Sequence, residues 1–257
     1  MKTTIRIRAL LIATSLSLFA GCVGEMGSGD LLIEEREAGE FDRVVVSGGG
    51  IDMVEVIVCD CTSLKVSGDD NLIDRVETKV SAGTLEIDTD GWFTTVQELR
   101  VQVRTPSLDL VSVSGSANLR VLDLRGGDLS IETSGSSDVE MQGNLDSLSF
   151  DTSGSSDIDV KRLIAAHLSI TTSGSSDLEL FGETDILDIS TSGSSDINAR
   201  ELTAREVTVT TSGSSDVAVC ATETLTIETS GSSDVDYYCD PEVVNKSTSG
   251  SSDVVAH

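Results

Sequence analysis

The chain has 257 residues and carries 17 basic against 44 acidic side chains, a formal net charge of −27. A surface this acidic repels polyanions, so nucleic-acid binding is excluded as a function class. Hydrophobic residues make up 38% and aromatics only 3%, which suits a thin-cored solenoid and weakens any case for a sugar-stacking site.

The amino terminus opens with Lys2, Arg6 and Arg8, an apolar run from Ala9 to Phe19, then Ala20-Gly21-Cys22. A basic end, a short hydrophobic stretch and small residues at a cleavage point form a secretory signal; a membrane span needs about 20 apolar residues. Leu18-Phe19-Ala20-Gly21-Cys22 resembles the lipobox of bacterial lipoproteins, with Phe19 where leucine is usual. By that resemblance residues 1–21 are removed and Cys22 becomes the lipid-modified first residue; the alternative is ordinary secretion with an unmodified cysteine. Val23 and Gly24 in place of an aspartate resemble lipoproteins sorted to the outer membrane. Loss of Lys2, Arg6 and Arg8 leaves 14 basic against 44 acidic residues, a net charge of −30. The next stretch is rich in glycine, and residues 22–40 read as a flexible tether.

Strands are expected from Phe41 onward. Arg43 to Gly48, Leu64 to Gly68, Leu85 to Gly91 and Val111 to Gly115 each run through alternating apolar residues into a glycine. The glycine spacings from Gly48 to Gly135 are 20, 23, 24 and 20, so residues 41–114 read as wider, irregular coils. After them the phrase Thr-Ser-Gly-Ser-Ser-Asp recurs seven times unchanged, with glycines at 135, 154, 174, 193, 213, 231 and 250, spaced 19, 20, 19, 20, 18 and 19 residues apart. A fixed period of this kind marks a stacked array.

Apolar residues stand four and six positions after each glycine, as in Val139/Met141 and Ile158/Val160. They stand again six and four before the next glycine, as in Leu148/Phe150 and Leu168/Ile170. Both pairs have period two, so each repeat predicts two short strands with one buried face. A third inward site is expected at Leu124, Leu145, Leu163 and Leu202. The reading is an all-β, single-domain parallel β-helix over residues 41–257, with 19–20 residues per coil and a right-handed course. It would have about 11 turns and be about 50 Å long at the strand spacing.

Phe41 to Gly48, Val66-Ser67-Gly68-Asp69-Asp70-Asn71-Leu72-Ile73, Gly83 to Ile87 and the Ser-Gly-Ser-Ser-Asp repeats together resemble the head GIN domain family, whose members are labelled auto-transporter adhesins. The likeness covers about residues 41–257. It implies a β-helix and supplies no catalytic residues. The carboxy-terminal membrane barrel of an autotransporter is not expected here; the lipid anchor would replace it.

The repeated aspartate is the sharpest chemical feature. In-register stacking predicts a column of Asp138, Asp157, Asp177, Asp196, Asp216, Asp234 and Asp253 about 4.8 Å apart. Neighbouring charges at that spacing repel by about 0.9 kcal/mol in bulk water. Turn chemistry answers this if each carboxylate accepts hydrogen bonds from turn amides or serine hydroxyls. The functional alternative is a ladder of Ca²⁺ sites along the column. The threonine two before each glycine and the serine two after it fall on inward parity and are expected to form stacked hydroxyl ladders.

Cys220 and Cys239 lie one coil apart, within bridging range and in an exported chain. Cys59 and Cys61 are read on one strand face, where they bridge each other, stay free or bind a metal. No Gly-x-Ser-x-Gly, Walker A or His-Glu-x-x-His motif is present, and the histidines are His167 and His257. Trp92/Phe93 and Tyr237/Tyr238 are expected to pack in the core or caps. The last coil deviates, with Lys246 at an apolar position, and its open edge predicts end-to-end pairing. The expected function is therefore a non-catalytic, lipid-anchored interaction module of the envelope with a protein or glycan partner. A calcium-binding repeat protein and a polysaccharide-active enzyme are the alternatives.

Overall fold

The computed structural model describes residues 24–257. Twenty strands follow in order: β1 (Glu25–Met26), β2 (Leu31–Arg36), β3 (Arg43–Val46), β4 (Met53–Val58), β5 (Ser63–Asp69), β6 (Val76–Ser81), β7 (Thr84–Thr89), β8 (Phe93–Thr94), β9 (Arg100–Thr105) and β10 (Leu110–Gly115). Then come β11 (Asn118–Arg125), β12 (Asp128–Gly135), β13 (Val139–Thr152), β14 (Ile158–Thr172), β15 (Asp177–Thr191), β16 (Asp196–Thr211), β17 (Asp216–Gly231), β18 (Asp234–Tyr238), β19 (Val243–Gly250) and β20 (Val254–Ala256). The chain is a parallel β-solenoid of about 7 turns, the regular coils running from Gly115 to Gly250.

Strands β13 to β17 are each long enough to bend and serve two sides of a coil. Side A follows the repeated aspartate; side B leads into the next glycine. The apolar pairs read from the sequence face inward throughout: Val139, Met141, Leu148, Phe150, Ile158, Val160, Leu168 and Ile170 are all buried. They stack on their equivalents one coil away, Val139 on Ile158 on Leu178 and Phe150 on Ile170 on Ile189. Apolar burial thus fixes the register, since a slip of one residue would turn every one of these side chains to water.

At the bend between the two sides, Leu124, Leu145, Leu163 and Leu202 are buried. They do not form one column. Leu124 stacks on Gly143, Gly143 on Leu163, Leu163 on Gly182 and Gly182 on Leu202, so a large residue alternates with none. A side chain at Gly182 would land on the carbonyl oxygen of Leu163. Leu145 stands one inward position further on and stacks on Ala165.

The early chain departs from the expected sequence of consecutive wide coils, and the expected 11 turns overcount for that reason. Strand β3 pairs with both β7 and β10, and β4 with both β9 and β11, all parallel. The coil made by β3 and β4 is therefore wedged between one made by β7 and β9 and one made by β10 and β11. After β4 the chain passes to the amino-terminal end, where residues 59–109 build the outermost coil of β7 and β9 and its covering strands, and then returns to the far side of β3 at β10. Gly48 stacks directly on Gly115, while Gly68 packs on Leu99 and Gly91 sits in a turn outside the column. A glycine spacing near the coil length does not by itself mark a corner, since Gly68 lies within β5 and Gly91 in a bend between β7 and β8.

That end is closed by antiparallel pairing: β2 on β5, β5 on β9, and β6 on β7. Residues 24–36 belong to it, so the part of the expected 22–40 tether that falls on residues 24–36 is ordered as β1, β2 and the residues joining them instead. Their backbone amides are held by strand partners whatever their side chains, which is why glycine content misled. A single apolar core runs from Phe41 to Val235. No helix of the described residues is long and apolar enough to cross a membrane.

Candidate binding face

Each corner is built around its glycine. A side chain at Gly174 would collide with the backbone of Gly154, and one at Gly193 with Gly174, so coils approach too closely for any other residue. Within the corner the amide after the glycine points back one coil: Ser155 N–H donates to the Gly135 carbonyl at 2.9 Å. The following amide points forward, where the ladder offers it no carbonyl. It is satisfied by the serine hydroxyl of the next coil: Ser137 N–H donates to Ser156 Oγ (3.3 Å), Ser156 to Ser176, Ser176 to Ser195, Ser195 to Ser215 and Ser215 to Ser233 (3.2 Å each). The serine column is a structural ladder of hydroxyl on amide. The threonine column is not a ladder: Thr133, Thr152, Thr172, Thr191, Thr211 and Thr229 are buried with their hydroxyls unpaired.

The corner aspartates emerge on the outer surface. Asp177, Asp196, Asp216 and Asp234 stand in direct register on side A, and Asp138, Asp157 and Asp253 occupy the same position in their coils. All seven are exposed. The expected anchoring by turn amides holds at one of them only: among the described residues, Asp253 N–H donating to Asp234 Oδ1 (3.1 Å) is the sole protein hydrogen bond these carboxylates accept. The corner amides are already used by the glycine carbonyls and the serine hydroxyls. No group of three or more histidine, cysteine, aspartate or glutamate side chains converges to hold a metal ion among the described residues.

Two residues further along each coil lies a second column that the sequence reading missed: Glu140, Asp159, Glu179, Asn198, Ala218 and Asp236. Its offset from the glycine is fixed while its residue type drifts, so only the structure makes it conspicuous. The two columns line a shallow trough of about 510 Å³ between Met53 and Glu179, which continues past Asp177 and Glu179 into another of about 470 Å³ reaching Asp236. Basic residues are few. Arg120 and Lys161 clasp Glu140 at 2.8 and 2.9 Å, and Lys161 also meets Asp159 at 3.0 Å. Hydrogen bonds from Lys161 and Arg120 hold the Glu140 carboxyl below its ordinary range, and those to Glu140 and Asp159 raise Lys161. Arg200 leans over Tyr238 with its guanidinium carbon 4.9 Å from the ring centre.

Cys22 lies outside the described residues. Cys220 and Cys239 are joined by a disulfide, Cα to Cα 5.2 Å, which ties the penultimate coil to its neighbour. Cys59 and Cys61 are joined to each other in the turn after β4 and do not share a strand face, because the strand ends at Val58. His167 is exposed, and His257 stacks on Tyr238. Tyr237 packs against the core with Lys246 over its ring. Phe93 tucks against Gly50, but Trp92 beside it is 90% exposed and packs in no cap: the turn at Gly91 points it outward.

Asp69 is a further residue the sequence did not single out. Its buried carboxylate accepts Gly29 N–H (2.7 Å), Val96 N–H (2.8 Å) and Gln97 N–H (3.1 Å). Burial pushes its pKa up, and the amides of Val96, Gln97 and Gly29 outweigh that to hold it below the ordinary carboxylate value. It pins residues 24–33 to the 92–97 segment.

Compared with known proteins, the chain matches the family profile described as "Putative auto-transporter adhesin, head GIN domain" twice, over residues 40–161 and 144–241. No curated protein matches. Among solved structures, a "putative adhesin" from Parabacteroides distasonis is 22% identical with a TM-score of 0.83, over 91% of this chain and 100% of that one. A "putative lipid binding protein" from the same species is 24% identical with a TM-score of 0.80, over 90% and 98%. A "putative adhesin" from Bacteroides fragilis is 20% identical with a TM-score of 0.69, over 91% and 100%. At these identities the likeness establishes the fold.

Proposed function

The chain belongs to the head GIN domain family, and we propose from this that it is a non-catalytic, adhesin-like interaction module, exported and lipid-anchored through Cys22 in a bacterial envelope, in the outer membrane. The observation that carries the reading is the uniformity of side A. Catalysis requires a local exception, a few groups in one geometry, whereas here the same aspartate returns after each of the seven glycines from Gly135 to Gly250. Repetition instead gives a long, rigid, acidic trough on which a partner gains many weak contacts that add up, as on other solenoids. The partner is a protein or glycan, and nucleic acid is disfavoured by charge.

The test is adhesion of beads coated with residues 23–257 to cells and to immobilised envelope glycans. The expected result is binding that weakens at least several-fold in the variant Asp157→Ser, Asp177→Ser, Asp196→Ser, with turnover of polysaccharide undetectable. Binding indifferent to that variant would remove the trough from the reading, and release of oligosaccharides would overturn the non-catalytic assignment.

A further inference from the structure

From Gly24 to Arg36 the chain is bound into the amino-terminal end instead of forming the expected tether, and this constrains how the molecule meets a membrane. The backbone is fixed from its first described residues. Glu25 N–H donates to the Trp92 carbonyl (3.1 Å) and Gly27 N–H to that of Thr94 (2.8 Å). Asn71 accepts from Ser28 N–H (2.8 Å) and donates to the Met26 carbonyl (3.0 Å). Arg75 grips the Glu25 carboxylate at 2.7 Å, and Asp69 holds Gly29. With Cys22 as the first residue of the mature chain, only Cys22 and Val23 precede Gly24, and two extended residues reach at most about 7 Å.

The surface next to that point is apolar. Nine large hydrophobic residues are exposed among the described residues, and six of them belong to this end: Met26, Leu31, Leu32, Ile33, Trp92 and Val96. They border one seam. Met26 is in register with Thr94, midway between Trp92 and Val96, Gly29 lies against Val96, and Leu31 pairs with Asp69, which holds the Val96 amide. A cluster of this kind on an otherwise acidic molecule marks a contact surface. A tryptophan at its edge has the amphipathic ring that settles at the boundary between headgroups and acyl chains.

We propose that this amino-terminal end is a membrane-docking face: Trp92, Met26, Leu31, Ile33 and Val96 enter the interface of the bilayer that holds the Cys22 acyl chains. The inference rests on the reading of Cys22 as lipid-modified. The anchor brings the patch within reach, and the patch replaces a swivelling attachment with a seated one. The trough of side A begins at the β4 and β11 layers, beyond β2, β5 and β9, and so is carried clear of the lipid surface.

Trp92 is the only tryptophan in the chain, so its fluorescence reports this face alone. The experiment extracts the full-length protein from membranes, determines the mass of its amino-terminal peptide, and reconstitutes it in phosphatidylcholine vesicles with or without brominated acyl chains. The expected result is an acylated Cys22, a blue-shifted Trp92 emission, and at least twofold quenching by bromine that falls in the variant Leu31→Asn, Ile33→Asn. An acylated protein with solvent-like, unquenched emission overturns the docking face and leaves the anchor standing. An unmodified Cys22 overturns the anchor, and the docking inference with it.

Discussion

Threonine and serine flank each of the seven repeated corner glycines from Gly135 to Gly250 on the same inward parity, yet the fold asks opposite things of them. Ser176 Oγ accepts the buried Ser156 amide, whereas Thr172 Oγ meets no partner. Removing the acceptor strands a buried donor, at a cost of about 1–3 kcal/mol. Ser176→Ala is therefore expected to lower stability by that amount, while Thr172→Val, which removes an unpaired hydroxyl from an apolar site, is neutral or stabilising by about 1 kcal/mol. Urea denaturation of the two variants checks the pair, and equal losses would refute the distinction. Asp69 gives a second prediction at this scale. Its folded pKa lies below its unfolded value, so its stabilising contribution is present above the unfolded value and is lost as pH falls through the folded one. Hydrogen-exchange protection in residues 24–33, taken against the intrinsic rate at each pH, is expected to be high at pH 7 and to fall in acid below the ordinary aspartate pKa; in Asp69→Asn it is low already at pH 7. Parity in a strand announced that both hydroxyl columns face inward. It said nothing of which amides lack a carbonyl, because that depends on how each corner turns toward its neighbours.

Among the elements, the corner column is held together against its own charge. Because the corner amides are engaged elsewhere, the in-register carboxylates of Asp177, Asp196 and Asp216 are left to solvent and counterions. Screening relieves such repulsion without any specific site. The melting temperature is thus expected to rise by a few degrees between low and moderate sodium chloride, and calcium at matched ionic strength to add nothing further. Asp177→Asn, Asp196→Asn, Asp216→Asn should raise the low-salt value and shrink the salt effect. A calcium-specific rise of many degrees would instead establish the column as a metal ladder. The regular coils were legible because one local pattern, two apolar pairs around a glycine, is enough to place each strand on the last. The early strands were not. The contact of β3 with β10 joins residues 43–46 to 110–113, and a pairing over that separation leaves no periodic trace. Trp92 failed for the reverse reason: its hydrophobicity suggested burial, while its position after a turn glycine decides exposure.

In the whole molecule each coil touches only its neighbours, so stability is close to a sum of coils and of the interfaces between them. Such an architecture tolerates loss of a coil wherever the new neighbours match. Here the bend sets the matching rule, since Gly143, Leu163, Gly182 and Leu202 alternate between empty and full. Deleting residues 175–193 joins Gly174 to Ser194 and restores the corner phrase, but it sets Leu163 against Leu202. Two large side chains then compete for one space, an overpacking that costs about 1–3 kcal/mol. Deleting residues 155–193 removes two coils, joins Gly154 to Ser194, and brings Gly143 against Leu202, which preserves the alternation. The longer deletion is therefore expected to retain a cooperative transition with a higher melting temperature than the shorter one, as measured by circular dichroism. If the shorter deletion proves the more stable, the pairing at the bend does not govern how coils fit. A preserved order would show that the solenoid is written in units of two coils at the bend and of one coil at the corner.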